Sequence, residues 1–137
     1  MRNPRRQGDL GELSAIEWLT LRGCPLWLPL GHSPDCDLVT RIDGRLAAVQ
    51  VKTSTVARNG RFEVTLCTRG GNRSWSGVVK RFSRERCDWL FVLVADGRRW
   101  FIPAAEVGGG SGILVGGPNY AAFEFEPGRP LPAVMAA

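Results

Sequence analysis

Two pairs of residues that could do chemistry lie in one short part of the chain, and the members of each pair are two positions apart. The first pair is two acids, Asp35 and Asp37, and the second is an amide and an amine, Gln50 and Lys52. Between them, Asp43-Gly44 predicts the tight turn of a β-hairpin. A symmetric hairpin about this turn places Asp37 opposite Gln50, and Asp35 opposite Lys52. Because alternate residues of a strand point to one face, the four side chains should lie within reach of one small ion or phosphate.

The same pattern also fits a simple cross-strand ion pair on a solvated sheet face. The opposite face of the second strand carries Ala47, Val49, Val51 and Thr53, which predicts a core-facing surface. The elements around the hairpin therefore have to decide between the two interpretations.

A helix predicted over residues 8–22 should bring one more carboxylate to this hairpin. Glu12 shares a helix stripe with Ala15 and Leu19, and this stripe should face the sheet. A carboxylate there is unfavourable unless it is paired or binds a cation. Glu12 also has capping-box spacing from Asp9, and the two roles compete for one side chain.

The ordered set of these motifs resembles the PD-(D/E)XK nuclease superfamily. The motifs are Gly8-Asp9-Leu10-Gly11-Glu12, Asp37-Leu38-Val39 and Val49-Gln50-Val51-Lys52-Thr53-Ser54. Gln50 replaces the usual acid before the lysine, which is similar to the group I intron-associated homing endonucleases. The resemblance covers residues 8–54 and extends more weakly to about residue 125.

This resemblance implies an α/β fold with a restriction-endonuclease-like core, in which helices flank a mixed, mainly antiparallel sheet. It implies a single nuclease domain over residues 1–126, and we expect a flexible tail at 127–137. Gly8 and Gly11, both poor helix formers, indicate close backbone approach near the start of the helix.

Carried over position by position, the resemblance implies catalytic roles for Glu12, Asp37, Gln50 and Lys52. The metal ligands would be Asp37, Gln50, Glu12 and the backbone carbonyl of Val51. Mg²⁺ prefers such oxygen ligands, and Mn²⁺ should be able to substitute. Because Gln50 is neutral, we expect weaker metal binding or a single metal ion. Asp35 remains the alternative metal acid, since Pro34-Asp35 also spells the PD motif.

The net charge of +5 is concentrated in one segment, because residues 55–86 carry +6 and the remainder carries −1. A local basic excess indicates a polyanionic partner. The predicted DNA-contacting residues are Arg58, Arg61, Arg69, Arg73, Trp75, Lys80 and Arg81. A solvated basic face, with Trp75 as a loop anchor, is the alternative. Of the remaining tryptophans, Trp27 is among those expected in the core or at an interface.

Composition excludes several other classes of protein. Hydrophobic residues make up 44% and charged residues 23%, which is typical of a folded globular chain. No apolar run approaches the roughly 18 residues of a membrane span, and no secretory signal is evident. Four scattered cysteines and a single histidine, His32, argue against a zinc site. A cytoplasmic protein with free thiols is therefore expected.

The function predicted from these features is metal-dependent hydrolysis of phosphodiesters in double-stranded DNA. Cutting both strands requires two such sites, so a homodimer or homotetramer is expected. One alternative is a Holliday-junction resolvase-like or repair nuclease that acts on branched DNA. The other is an inactive nuclease fold retained as a DNA-binding module.

Overall fold

The structure, a computed structural model, describes residues 3–31, 36–69, 79–80 and 82–132, with the side chains at 68–69 and 79–80 left out. The elements within these residues, in chain order, are α1 (Pro4–Leu21), β1 (Leu26–Trp27), β2 (Leu38–Ile42), β3 (Arg45–Ser54), β4 (Ala57–Arg58), β5 (Arg61–Thr65), β6 (Thr68–Arg69), β7 (Val79–Lys80), β8 (Trp89–Val94), β9 (Arg99–Pro103), a 3₁₀ helix (Ala104–Glu106), β10 (Gly112–Val115), a second 3₁₀ helix (Ala121–Phe123) and β11 (Glu124–Phe125).

The main sheet has six strands in the order β1-β2-β3-β8-β9-β11. Only the β3–β8 pair within it is parallel, and its other neighbours are antiparallel. A small sheet with the order β10-β5-β4 and the β6–β7 ladder complete the strands of the described residues. The predicted mixed, mainly antiparallel sheet is confirmed. The described part of the chain contains one α-helix beside the sheet, where we expected more than one.

The helix starts four residues earlier than predicted, and the predicted capping box is wrong. Asn3 is the N-cap, and its side chain accepts hydrogen bonds from the N–H groups of Arg5 and Arg6. Pro4, which has no N–H to satisfy, follows at the first helical position. Asp9 and Glu12 are therefore interior helix residues, and Glu12 is not needed as a cap.

The predicted hairpin around Asp43-Gly44 is confirmed, with Leu38 paired with Val49 and Ile42 paired with Arg45. Both turn residues have positive φ, 50° for Asp43 and 78° for Gly44, as a two-residue hairpin turn requires. The register is the one obtained by counting outward from the turn.

Two apolar layers cover opposite faces of the main sheet. On one face, Ala15 and Leu19 of α1 pack against Val49 and Val51 of β3. The small sheet covers β8 and β9 on the other face with the cluster Phe62, Val64, Leu90, Val92, Val94, Ile102, Ile113 and Val115. Because β8 is buried on both faces, its sequence WLFVLV is continuously apolar. On the β1–β2 side, the same face of the main sheet carries exposed residues.

The glycine-rich stretch around β10 did not predict a strand, since its pattern resembles a turn. Trp27 lies in the edge strand β1, and the residues after Pro103 form a 3₁₀ helix. Where we expected a flexible tail, the Leu131 N–H donates to the Ala95 carbonyl (3.1 Å) and its side chain is buried. Residues 133–137 lie outside the described residues.

All four cysteines are free thiols, as expected. Among the described residues, no helix is long and apolar enough to cross a membrane.

Candidate active site

Asp37 lies immediately before β2, at the point where β2 stops pairing with β3. Its N–H donates to the Val49 carbonyl (2.9 Å), so the backbone still follows β3. Its Oδ2 atom accepts hydrogen bonds from the Val51 N–H (2.7 Å) and from Gln50 Nε2 (3.0 Å). The carboxylate thus replaces the missing neighbouring strand for Val51. This geometry brings Asp37 and Gln50 together as the hairpin register predicted.

The backbone carbonyl of Val51 also faces this part of the site. The N–H and C=O of one strand residue point towards the same neighbouring strand. Since the Val51 N–H faces the Asp37 carboxylate, its carbonyl opens towards the same gap between β2 and β3. The backbone carbonyl therefore lies on the correct side of β3 for the role predicted for it.

Glu12 reaches this site because α1 approaches β3 very closely. A Cβ atom on Gly11 would lie 2.5 Å from Thr53 Cγ2 and 3.1 Å from Val51 Cγ1. Only glycine permits this approach, which confirms the prediction for Gly11. The prediction for Gly8 is wrong, because nothing lies within 4 Å of a Cβ atom there.

The Glu12 carboxyl group interacts directly with Asp37. Partial burial, the charge of Asp37 and a hydrogen bond with Asp37 raise the pKa of Glu12 to about 7, with a smaller contribution from Asp9. Two carboxylates this close repel each other unless they share a proton or a cation. The structure therefore favours the site interpretation of Glu12 over the capping interpretation.

Lys52 is half-buried on the same face of β3 as Gln50, two residues further along the strand. Burial lowers the pKa of its ammonium group, while Asp37 and the Cys67 thiol act in the opposite direction. The ammonium group is thus close enough to Asp37 to interact with its charge. Asp35, the alternative acid, and His32 lie outside the described residues.

The donor set fits a hard divalent cation. Two carboxylates, an amide and a backbone carbonyl offer the oxygen ligands that Mg²⁺ prefers. Within the described residues there is no cluster of three or more His, Cys, Asp or Glu side chains that could hold a metal. A metal here would consequently depend on Asp37 and Glu12, with neutral oxygens from Gln50 and Val51.

Gln7 is a neighbour of the site that the sequence analysis did not identify. Its Nε2 atom donates to Thr53 Oγ1 (3.1 Å), which ties the first turns of α1 to β3 beside Gly11. Gln7 precedes Gly11 by four residues, so both lie on one face of α1. This spacing is the only sequence signal for the contact. The bond helps to hold Glu12 in position.

We expect the metal-free protein to lose stability as the pH rises from about 4.5 to about 7. The folded state retains a proton on Glu12 in this range that the unfolded state has released, so raising the pH favours unfolding. The contribution is complete below the unfolded pKa and is lost as the pH passes the folded pKa. Thermal unfolding in EDTA at pH 5 and pH 8 measures this difference.

Glu12→Gln provides the control for this prediction. Glutamine keeps the size and hydrogen bonding of the side chain but does not titrate, so its melting temperature should change less between the two pH values. An unchanged pH dependence in Glu12→Gln would assign the effect to other groups.

The structure describes all four predicted catalytic side chains but only some of the predicted DNA-contacting side chains. Arg58 is exposed in β4 but is partly neutralised by Glu63, with 3.7 Å between Arg58 Nη1 and Glu63 Oε2. Arg61 is half-buried at the start of β5. For Arg69 and Lys80 the backbone alone is described, in the β6–β7 ladder. The remaining three, Arg73, Trp75 and Arg81, lie outside the described residues.

Comparison with known proteins supports the resemblance seen in the motifs. The family model described as PD-(D/E)XK endonuclease matches residues 2–115. Among solved structures, the fold is similar to that of the bacterial homing endonuclease I-Ssp6803I, with a TM-score of 0.73 and 22% identity over 90% of this chain and 89% of that chain. No curated protein matches the chain.

The family match covers most of the chain and includes all four residues of the site, Glu12, Asp37, Gln50 and Lys52. The predicted restriction-endonuclease-like core is also confirmed by the structural match over most of both chains. This protein is therefore a nuclease that belongs to the PD-(D/E)XK endonuclease family.

Proposed function

We propose that this protein is a Mg²⁺-dependent endonuclease that hydrolyses phosphodiester bonds of double-stranded DNA. The observation that carries the proposal is the meeting of Glu12, Asp37 and Gln50 at the gap between β2 and β3, with Lys52 beside them. α1 and β3 each contribute to this cluster, and neither element alone could assemble it.

Each side chain has a distinct task in the proposed reaction. Asp37, held by the Val51 N–H and the Gln50 amide, offers an oriented carboxylate for the cation. Glu12, Gln50 and the Val51 carbonyl complete the protein ligands. When bound, Mg²⁺ would supply Lewis acidity towards the scissile phosphate.

Lys52 supplies the positive charge that the chemistry requires. Its ammonium group orients the attacking water and stabilises the negative charge that develops on the phosphate oxygens. Partial burial strengthens this electrostatic effect because the surroundings are less polar than water. The lowered pKa of Lys52 also makes proton exchange with the attacking water easier than at a fully solvated lysine.

A cleavage assay on three substrates tests the proposal. Supercoiled plasmid, linear duplex and a four-way junction are incubated with the protein in EDTA, Mg²⁺ or Mn²⁺. We expect cutting only with a divalent cation, and Mn²⁺ should support it as well as or better than Mg²⁺. Preference for the junction would assign a resolvase-like activity, and preference for duplex would favour a homing-type activity. Cutting in EDTA would contradict the proposed metal dependence.

Gln50→Glu is expected to lower the Mg²⁺ concentration needed for half-maximal cleavage by about tenfold, because ligand charge tunes the affinity for hard cations. The substitution restores the acid that most members of the family carry beside the lysine. Titration calorimetry with Mg²⁺ measures the affinity directly. Gln50→Met, which has a similar length but no oxygen ligand, should weaken binding. An unchanged Mg²⁺ requirement in both variants would exclude Gln50 as a ligand.

One site cuts one strand, so double-strand cleavage by this chain requires two copies. We therefore propose a homodimer or homotetramer that presents two sites to one duplex. Analytical ultracentrifugation with and without DNA tests this, and an active monomer that only nicks would contradict it.

A further inference from the structure

An arginine and a tryptophan lie together on the sheet face that also carries Gln50 and Lys52. Arg41 of β2 is exposed, and its guanidinium lies over the ring of Trp27 in β1, with 5.3 Å from Cζ to the ring centroid. This distance is within the range of a favourable cation–π contact. Trp27 itself is 45% exposed, where the sequence predicted a core or interface residue.

The strand register places this pair on the same face as Gln50 and Lys52. Trp27 pairs with Val39, and Arg41 follows Val39 by two residues along β2. Paired residues and alternate residues share one face of a sheet. Asp37 precedes Arg41 by four residues, so Arg41 lies about 13 Å from Asp37 along the chain direction.

The surface between these two positions is formed by short side chains. It carries the short side chains of Val39 and Ala48, both half-buried and paired across the hairpin. Asp88 also lies beside Ala48, but its Oδ2 atom already accepts the Ala48 N–H (2.7 Å). At 3.4 Å per base pair, the distance from Asp37 to Arg41 corresponds to about four base pairs of duplex.

Among the described residues, the guanidinium of Arg41 is held by an aromatic ring and not by a carboxylate. In the part of the chain that the structure describes, no carboxylate forms an ion pair with its guanidinium. Its backbone N–H and the Thr40 hydroxyl both donate to the Pro25 carbonyl, at 3.2 and 2.9 Å, which fixes β2 against β1. The cation–π contact with Trp27 limits the motion of the side chain and leaves N–H donors of the guanidinium available for a phosphate.

We propose that Arg41, held over the ring of Trp27, binds a backbone phosphate of the DNA about four base pairs from the bond that is cut. This inference rests on the proposed endonuclease function and adds a contact outside the basic segment 55–86. Charge complementarity carries it, because the guanidinium has no ion-pair partner within the described residues and a phosphate is an anion. Arg41 would act as a positioning residue, because it lies too far from Asp37 to touch the reacting atoms.

The matched control is Arg45, an exposed arginine on the same hairpin. It pairs with Ile42 and alternates with Ala47, Val49 and Val51, so it belongs to the face that packs against α1. Arg41→Gln and Arg45→Gln change the net charge equally and leave the hairpin turn intact. They differ in the face of the sheet from which the charge is removed.

The experiment measures affinity for a mixed-sequence DNA duplex by fluorescence anisotropy, between about 50 and 200 mM salt. All proteins carry Lys52→Ala so that the duplex is not cut. Arg41→Gln should bind about tenfold more weakly, as the loss of one charge-assisted contact predicts. The slope of log affinity against log salt should become shallower by about 0.9, the value for one phosphate contact. Arg45→Gln should change neither quantity.

Trp27→Leu separates the positioning effect from the charge. Loss of the ring should weaken binding roughly threefold while the salt slope stays the same, because the cation remains. Sedimentation of each variant should show an unchanged oligomeric state and circular dichroism an unchanged melting curve.

Three outcomes would overturn the inference. Equal affinity and equal salt slope for Arg41→Gln and Arg45→Gln would reject Arg41 as a phosphate contact while leaving the endonuclease proposal intact. A change of oligomeric state in Trp27→Leu or Arg41→Gln would assign this surface to a protein interface. Failure of the Lys52→Ala protein to bind any duplex, together with no cleavage by the unsubstituted protein, would reject both proposals.

Discussion

Lys52→Ala should reduce the rate of DNA cleavage by roughly 10³-fold, the usual effect of removing a preorganised charge from a reacting centre. The side chain is half-buried, and its ammonium group is close enough to Asp37 to interact with its charge. DNA affinity should change little, because the proposed phosphate contacts lie elsewhere. Single-turnover cleavage with saturating protein separates the chemical step from binding.

Two further variants make this prediction specific. Lys52→Met keeps the length and apolar stem of the side chain, so a similar loss would show that the charge, and not the packing, is responsible. Arg45→Gln removes an equal charge on the other face of the hairpin and should cleave normally. Normal cleavage by Lys52→Ala would rule out the lysine as the catalytic residue of this site.

Asp37→Asn should abolish cleavage and weaken Mg²⁺ binding by roughly two orders of magnitude, because a carboxylate ligand becomes a neutral amide. The fold should survive, since the asparagine Oδ1 atom can still accept the Val51 N–H that Asp37 now accepts. Loss of the neighbouring charge should also lower the pKa of Glu12 towards its ordinary value. The pH dependence of stability in EDTA would then become weaker than in the unsubstituted protein.

Asp35→Asn is the comparison that decides between the two acids of the motif. We expect it to retain cleavage and Mg²⁺ affinity. If Asp35→Asn were inactive and Asp37→Asn active, the metal acid would be Asp35, and Asp37 would only connect β2 to β3. Melting curves for both variants distinguish a lost ligand from a lost fold.

The hairpin that carries most of the site could be predicted from sequence, because its determinants are local. Asp43-Gly44 sets the turn, and the turn sets the register that pairs the β2 and β3 residues. Strand alternation then assigns Val49 and Val51 to the core and Gln50 and Lys52 to the other face. No distant contact is needed for any of these steps.

The start of the helix was predicted less well because two capping signals competed. Asp9 and Glu12 have the spacing of a capping box, but Asn3-Pro4 upstream supplies a side-chain acceptor and a residue without an N–H. The stronger signal starts the helix at Pro4. β10 was missed for a related reason, because a glycine-rich stretch gives little strand signal until β5 supplies a partner.

The sequence by itself therefore determined the family motifs, the hairpin and the face on which Gln50 and Lys52 stand, since turn geometry and a period of two act over a few residues. Only the tertiary structure decided that Glu12 meets Asp37, because this depends on α1 touching β3 at Gly11. The cation–π contact of Arg41 with Trp27 likewise needed β1 to pair with β2. These contacts join residues far apart in the chain, so they form only when the layers pack.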